Sequence, residues 1–120
     1  MERIVLSSER VAKPVEDKVA SFHREVVEAV DTAVKRDPVV VVGMAQNPYV
    51  KRARKLLDAE GVSFTYLEYG SYLSKWKERL AIKLYAGFPT FPMVFMDGTL
   101  VGGNSELEKL REAGKLKKKS

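Results

Sequence analysis

Cysteine is absent from this chain of 120 residues. Its absence excludes disulfides, thiolate nucleophiles and thiolate metal ligands. Histidine occurs once, so a zinc or iron–sulfur site built by this chain alone lacks its usual donors. Long hydrophobic runs are missing as well. No apolar stretch approaches the length a helix needs to span a membrane, and no membrane partner is expected. The opening Met-Glu-Arg-Ile-Val-Leu-Ser-Ser has too short an apolar segment for a secretory signal, so a cytoplasmic location is expected. Acidic residues are outnumbered, 16 Asp and Glu against 21 Lys and Arg, for a formal charge of +5. That weakly favours anionic partners. Part of the excess sits in the run Lys115-Leu116-Lys117-Lys118-Lys119. The remaining composition, 45% hydrophobic and 31% charged, suits one globular domain with a single sizeable core.

The stretch Pro38–Leu57 organises the rest. Val39 to Val42 is an unbroken β-branched run closed by Gly43. Stiff χ1 rotamers suit a strand, and the lack of polar alternation argues burial on both faces. A short polar loop then reaches Asn47-Pro48. Asn is a favoured helix N-cap, and Pro suits the first helical position. Ala53, Leu56 and Leu57 form an apolar stripe behind that cap, with Lys51, Arg52, Arg54 and Lys55 expected to face outward. A buried strand thus feeds a capped helix, where open α/β sheets collect ligands and helix N-termini attract anions.

Around this core the chain reads in order. Ile4-Val5-Leu6 suits an edge strand or an arm. From Pro14, a helix over about Val15–Lys35 is expected, with Val19, Phe22, Val26, Val30 and Ala33 inward and His23 beside them, half-exposed. Asp37-Pro38 breaks it. Glu60-Gly61 ends the capped helix, and Val62–Tyr69 reads as a second strand. A helix over about Tyr72–Tyr85 follows, with Leu73, Trp76, Leu80 and Leu84 on one face and Lys75, Arg79 and Lys83 on another. Gly87 to Pro92 is extended loop, since two prolines three apart exclude helix. Met93–Met96 is a strand, Asp97-Gly98 a hairpin turn and Thr99–Val101 the returning strand. Gly102-Gly103 permits close approach or positive φ. Ser105-Glu106-Leu107-Glu108 fits a capping box opening a last helix to about Ala113-Gly114. The order implies an α/β fold, a mixed sheet with helices on both faces. The expected organisation is an arm over 1–14, one domain over 15–116 and a basic tail over 117–120.

Several of these stretches resemble the glutaredoxins, over roughly Arg36 to Leu116. Asn47-Pro48-Tyr49-Val50 occupies the place of Cys-Pro-Tyr-Cys, or of Cys-Gly-Phe-Ser in monothiol members. Arg79-Leu80-Ala81-Ile82-Lys83 resembles the monothiol pattern Arg-x-x-Leu-Lys. Phe88-Pro89-Thr90-Phe91-Pro92 resembles Trp-Pro-Thr-Tyr/Phe-Pro, whose last proline is cis. Gly102-Gly103-Asn104-Ser105 resembles Gly-Gly-Cys-Asp at the start of the last helix. The resemblance, strongest to monothiol members, implies a thioredoxin-like (glutaredoxin) fold. That fold has a central mixed four-stranded sheet, helices on both faces and an N-terminal helix.

The resemblance also implies a site. In the family a thiol at a helix N-terminus, its pKa lowered by the helix, exchanges with glutathionylated disulfides. Here that position is Asn47, so no catalytic residue and no metal site are assigned. Thiol exchange, and the iron–sulfur binding of monothiol members, would need a partner's cysteine. The non-thiol contacts of glutathione transfer better. Its backbone pairs with Phe91 before Pro92. Its γ-glutamyl carboxylate lies on N–H groups opening the last helix, at Asn104 and Ser105, within the backbone-binding stretch that begins at Gly103. Its glycine carboxylate meets basic side chains, Arg79 matching best and Lys83 less well. Tyr49 adjoins Asn47. The family's lysine before the thiol corresponds to Met44, and its acidic partner for the ligand's ammonium to the neutral Ser105, for which Glu106 is a substitute.

Plainer readings stand beside these. Asn47-Pro48 is a good cap in any case, Pro92 is architectural, Arg79 and Lys83 suit a solvated face, and Met44 suits core or pocket wall. The expected function is a non-redox module binding glutathione or an extended peptide, or serving a protein partner, with no cofactor required. The alternative is a disulfide oxidoreductase completed by a partner's cysteine. Nucleic-acid binding through Lys51, Arg52, Arg54 and Lys55 is disfavoured, because no stacking aromatics interleave with these charges.

Overall fold

A computed structural model describes residues 23–71 and 73–116. The expected arm over 1–14, the helix start with Val19 and Phe22, Tyr72 and the tail over 117–120 lie outside the described residues. The described elements are α1 (Arg24–Arg36), β1 (Val39–Gly43), α2 (Pro48–Ala59), β2 (Thr65–Glu68), α3 (Trp76–Ala86), β3 (Met93–Met96), β4 (Thr99–Gly102) and α4 (Asn104–Glu112). Among the described residues no helix is long and apolar enough to cross a membrane.

The four strands form one mixed sheet in the order β2-β1-β3-β4. β1 runs parallel to β2, with Val40 opposite Thr65, and antiparallel to β3, with Val40 opposite Phe95. β3 and β4 pair antiparallel across Asp97-Gly98, both at positive φ (51° and 81°), the turn geometry this dipeptide favours. Every residue of β1 is buried. Period-two alternation sends Val40 and Val42 into one core and Val39 and Val41 into another. The first core takes Val30, Ala33 and Val34 from α1 and Ile82 from α3. The second takes Ala53, Leu56 and Leu57 from α2 and Leu107 from α4. Gly43 is required where α2 crosses the strand end, since a Cβ there would lie 2.7 Å from Val50 Cγ1.

Several boundaries differ from the sequence reading. His23 adopts a left-handed conformation (φ 45°, ψ 47°), so one unbroken helix from Val15 is excluded and α1 starts at Arg24. His23 precedes the helix, with Nδ1 3.9 Å from Glu78 Oε1 on α3. β2 is shorter than Val62–Tyr69, because β1 offers pairing partners only from Thr65 to Glu68. α3 begins at Trp76, after left-handed Lys75, not at Tyr72. Neither face assigned from the sequence is the one that packs on the sheet. Leu73, Trp76, Leu80 and Leu84 are exposed, while Arg79, Ala81 and Ile82 are buried. α4 begins at Asn104, with Gly103 rather than Ser105 in the N-cap position. Arg54, expected outward, lies over the Tyr66 ring at 4.0 Å from its centroid.

Candidate functional site

Three chain segments meet beyond the carboxyl end of β1. The first is the N-terminus of α2. Asn47 is extended (φ −89°, ψ 118°), and its Oδ1 accepts from the N–H groups of Tyr49 (2.9 Å) and Val50 (3.1 Å). The carboxamide oxygen therefore satisfies two of the orphan donors that open a helix. It offers no nucleophile. Asn47 is buried, whereas Tyr49 is exposed with Arg52 5.4 Å from its ring centroid.

The second segment is the loop between α3 and β3. The Phe91-Pro92 peptide bond is cis. Phe91 is buried, and Lys83 Nζ from the last turn of α3 lies 5.7 Å from its ring centroid. The third is the start of α4. Glu106 Oε1 reaches back to accept from Gly103 N–H at 2.7 Å. That return contact explains Gly102. Its φ is 126°, and a Cβ there would lie 2.5 Å from Glu106 Cγ. Asn104 is buried, and its Nδ2 donates to Glu108 Oε1 at 3.4 Å.

These segments enclose an open groove of about 550 Å³. Asn47, Tyr49, Phe91 and Pro92 line one part of it, and Gly103, Asn104 and Ser105 another. Met44 is a wall of the groove as well as core. Arg79 is the exception among the expected site residues. It does not line the groove, and it is buried with Nη1 donating to the backbone oxygens of Tyr69 and Ser74. Its guanidinium ties the end of β2 and the following turn to α3. Lys83, one helical turn later, lines the groove instead. Phe88, Pro89 and Thr90 also line it, although sequence reasoning assigned them no ligand role. Their signal was their place in the Gly87–Pro92 loop.

The groove is asymmetric in charge. Lys83 stands on one side, and Glu106 on the other beside the first turn of α4. Groups with shifted acidity lie elsewhere. Burial, then the Asp31 carboxylate it donates to at 2.6 Å, pushes the Tyr85 hydroxyl up to about 12. Burial likewise pushes Tyr66 up to about 12. Asp37 is held below the usual carboxylate range by Arg36 and by the Thr65 hydroxyl. These groups belong to the helix and strand junctions rather than to the groove.

The chain is similar to known proteins over most of its length. The Glutaredoxin family model matches residues 39–101. A glutaredoxin-like protein of Dictyostelium discoideum is 48% identical over 98 residues, 82% of this chain and 80% of that protein. Among solved structures, a dithiolic glutaredoxin of Trypanosoma brucei brucei aligns with a TM-score of 0.60 at 32% identity, over 72% of this chain and 90% of that one. A buckwheat glutaredoxin–glutathione complex aligns with a TM-score of 0.69 at 23% identity, over 80% of this chain and 87% of that one, a likeness of fold.

Proposed function

The chain belongs to the glutaredoxin family, and on that premise we propose that it is a binding module for glutathione, or for an extended peptide of similar shape, that performs no thiol chemistry itself. The observation that carries this reading is the state of residue 47. Its side chain sits on the N–H groups that open α2, in the place where the family keeps its thiol, and it is a carboxamide. The groove around it persists.

Each remaining contact needs only groups this chain has. An extended ligand backbone can hydrogen-bond to the main chain at Phe91, which no side-chain change removes. A carboxylate can rest on the first-turn N–H groups of α4, where partial positive charge collects. A second carboxylate is drawn towards Lys83, and not to Arg79, whose guanidinium is committed to Tyr69 and Ser74. The ligand's sulfur then faces Asn47 and keeps its bonds. Disulfide exchange requires a thiolate to attack sulfur and a second thiolate to leave. This chain supplies neither, so exchange would require a partner's cysteine. The fold's likeness to the buckwheat glutaredoxin–glutathione complex supports a tripeptide ligand.

Titrating isotope-labelled protein with reduced glutathione tests the reading. Amide shifts are expected at Thr90, Phe91 and Gly103 to Glu106, with no turnover in a glutathione-dependent reductase assay. No shift at millimolar ligand, or clear turnover by the pure chain, would overturn it.

A further inference from the structure

The outer face of α3 is apolar and turned away from the sheet. Leu73, Trp76, Leu80 and Leu84 are 98%, 60%, 39% and 56% exposed, and none of them joins either core. Trp76, Leu80 and Leu84 recur four apart and form one stripe, with Leu73 just ahead of it. At 3.6 residues per turn, Lys77 and Lys83 flank Leu80 at roughly 60° on either side. Single surface hydrophobics need no explanation, but a continuous stripe of large ones marks a contact surface.

Charge and chain path together say what covers it. A second copy of α3 laid on the stripe, parallel or antiparallel, would set lysine edges against lysine edges, which disfavours self-pairing. The chain holds a better match ahead of His23. Val15, Val19 and Phe22 recur there at helical spacing, and Glu16 and Asp17 outnumber Lys18 between them. That segment joins the described fold at the right place. His23 Nδ1 lies 3.9 Å from Glu78 Oε1, and Glu78 Oε2 lies 3.9 Å from Lys75 Nζ. The chain therefore enters α1 beside the first turn of α3, at the Trp76 end of the stripe. The left-handed backbone at His23 (φ 45°) turns the preceding residues off the axis of α1. The lengths agree as well. At 1.5 Å per residue the stripe from Trp76 to Leu84 is roughly 12 Å long, and a helix from Val15 to Phe22 covers roughly 10 Å.

We propose that the outer face of α3 is the docking surface of this chain's own residues 15–22, which lie along it as a short antiparallel helix. Val15, Val19 and Phe22 cover the Trp76–Leu80–Leu84 stripe, and the net acidic charge of the segment meets the flanking lysines. Burial of apolar surface on both sides drives the contact, and the charges select its partner. The inference goes beyond the groove and does not depend on which ligand the groove takes.

Trp76 is the only tryptophan of the chain, so its fluorescence reports on the stripe directly. In the full chain its emission is expected to be that of a shielded indole, blue-shifted and weakly quenched by acrylamide, at every protein concentration. Val19→Asp and Phe22→Asp are each expected to shift the emission to the red and to strengthen quenching. A chain without cysteine also accepts a single nitroxide label through Asp17→Cys, on the side of the segment away from the stripe. The label is expected to broaden the Leu84 amide resonance. That readout leaves the apolar contact untouched, so it stands even where an aspartate variant folds poorly. A water-exposed indole in the unmodified chain, shielding that survives both aspartates, or a Leu84 resonance left sharp by the label would overturn the proposal. Shielding that grows with protein concentration would assign the stripe to a second copy, and shielding seen only with anionic lipid vesicles would assign it to a membrane surface; either result would overturn it too.

Discussion

Asn47 Oδ1 holds the N–H groups of Tyr49 and Val50, and its carboxamide is buried at the mouth of α2. A cap of this kind typically contributes about 1 kcal/mol. Asn47→Ala is therefore expected to lower unfolding free energy by about 0.5–2 kcal/mol, read by urea denaturation with an unchanged slope. An unchanged midpoint would mean that the cap contributes nothing. This much is legible in the sequence, because Asn followed by Pro is local chemistry. Arg79 and Lys83 were not so legible. They are one turn apart, and both are basic. Which one enters the groove depends on where α3 sits and on the backbone oxygens of Tyr69 and Ser74, which no spacing rule locates. Asn104 shows the same limit. Its backbone role could be read from its place at a helix start, but the burial of its side-chain oxygen without a hydrogen bond is a matter of packing.

α3 shows how an element can be found while its buried face is not. Its sequence carries apolar residues all round, so a stripe of Leu73, Trp76, Leu80 and Leu84 competes with one through Ile82. The sheet chooses Ile82, which packs with Val40, Val42 and Met93 in one core. Sequence periodicity cannot rank two stripes when tertiary packing decides between them. α3 is joined to α1 by the Tyr85 hydroxyl donating to Asp31. The folded pKa of Tyr85, about 12, lies above its ordinary value of 10.0. The contribution of this contact is therefore complete below pH 10 and fades as pH rises through about 12. Asp31 is shifted downward, by Lys35 first and then Tyr85, so its contribution is present above its ordinary value of 3.8 and lost on further acidification. Thermal unfolding followed from pH 9 to 12 is expected to show a larger loss in the wild type than in Tyr85→Phe. Parallel curves would mean that the contact does not couple to stability.

Across the whole molecule, the sheet's order puts the end of β1 next to both β2 and β3, and the loops from three different segments converge there. The Val39–Val42 run, the Asp97-Gly98 hairpin and the strand–helix order were enough to anticipate a mixed sheet with helices on both faces, while the strand order itself was not legible in them. A strand buried on both faces and a two-residue turn each have few alternatives. What the convergence can do depends on one atom at its centre. For a binding module that has lost only its thiol, the groove and the helix field at residue 47 are intact and lack only sulfur. Asn47→Cys restores that sulfur, and a single experiment reads both properties: titration of the new thiol, with mass measurement after exposure to oxidised glutathione. The expected result is a thiol pKa clearly below the ordinary value of about 8.5 and a single glutathione adduct. A thiol that titrates at about 8.5 and takes up no glutathione would contradict it.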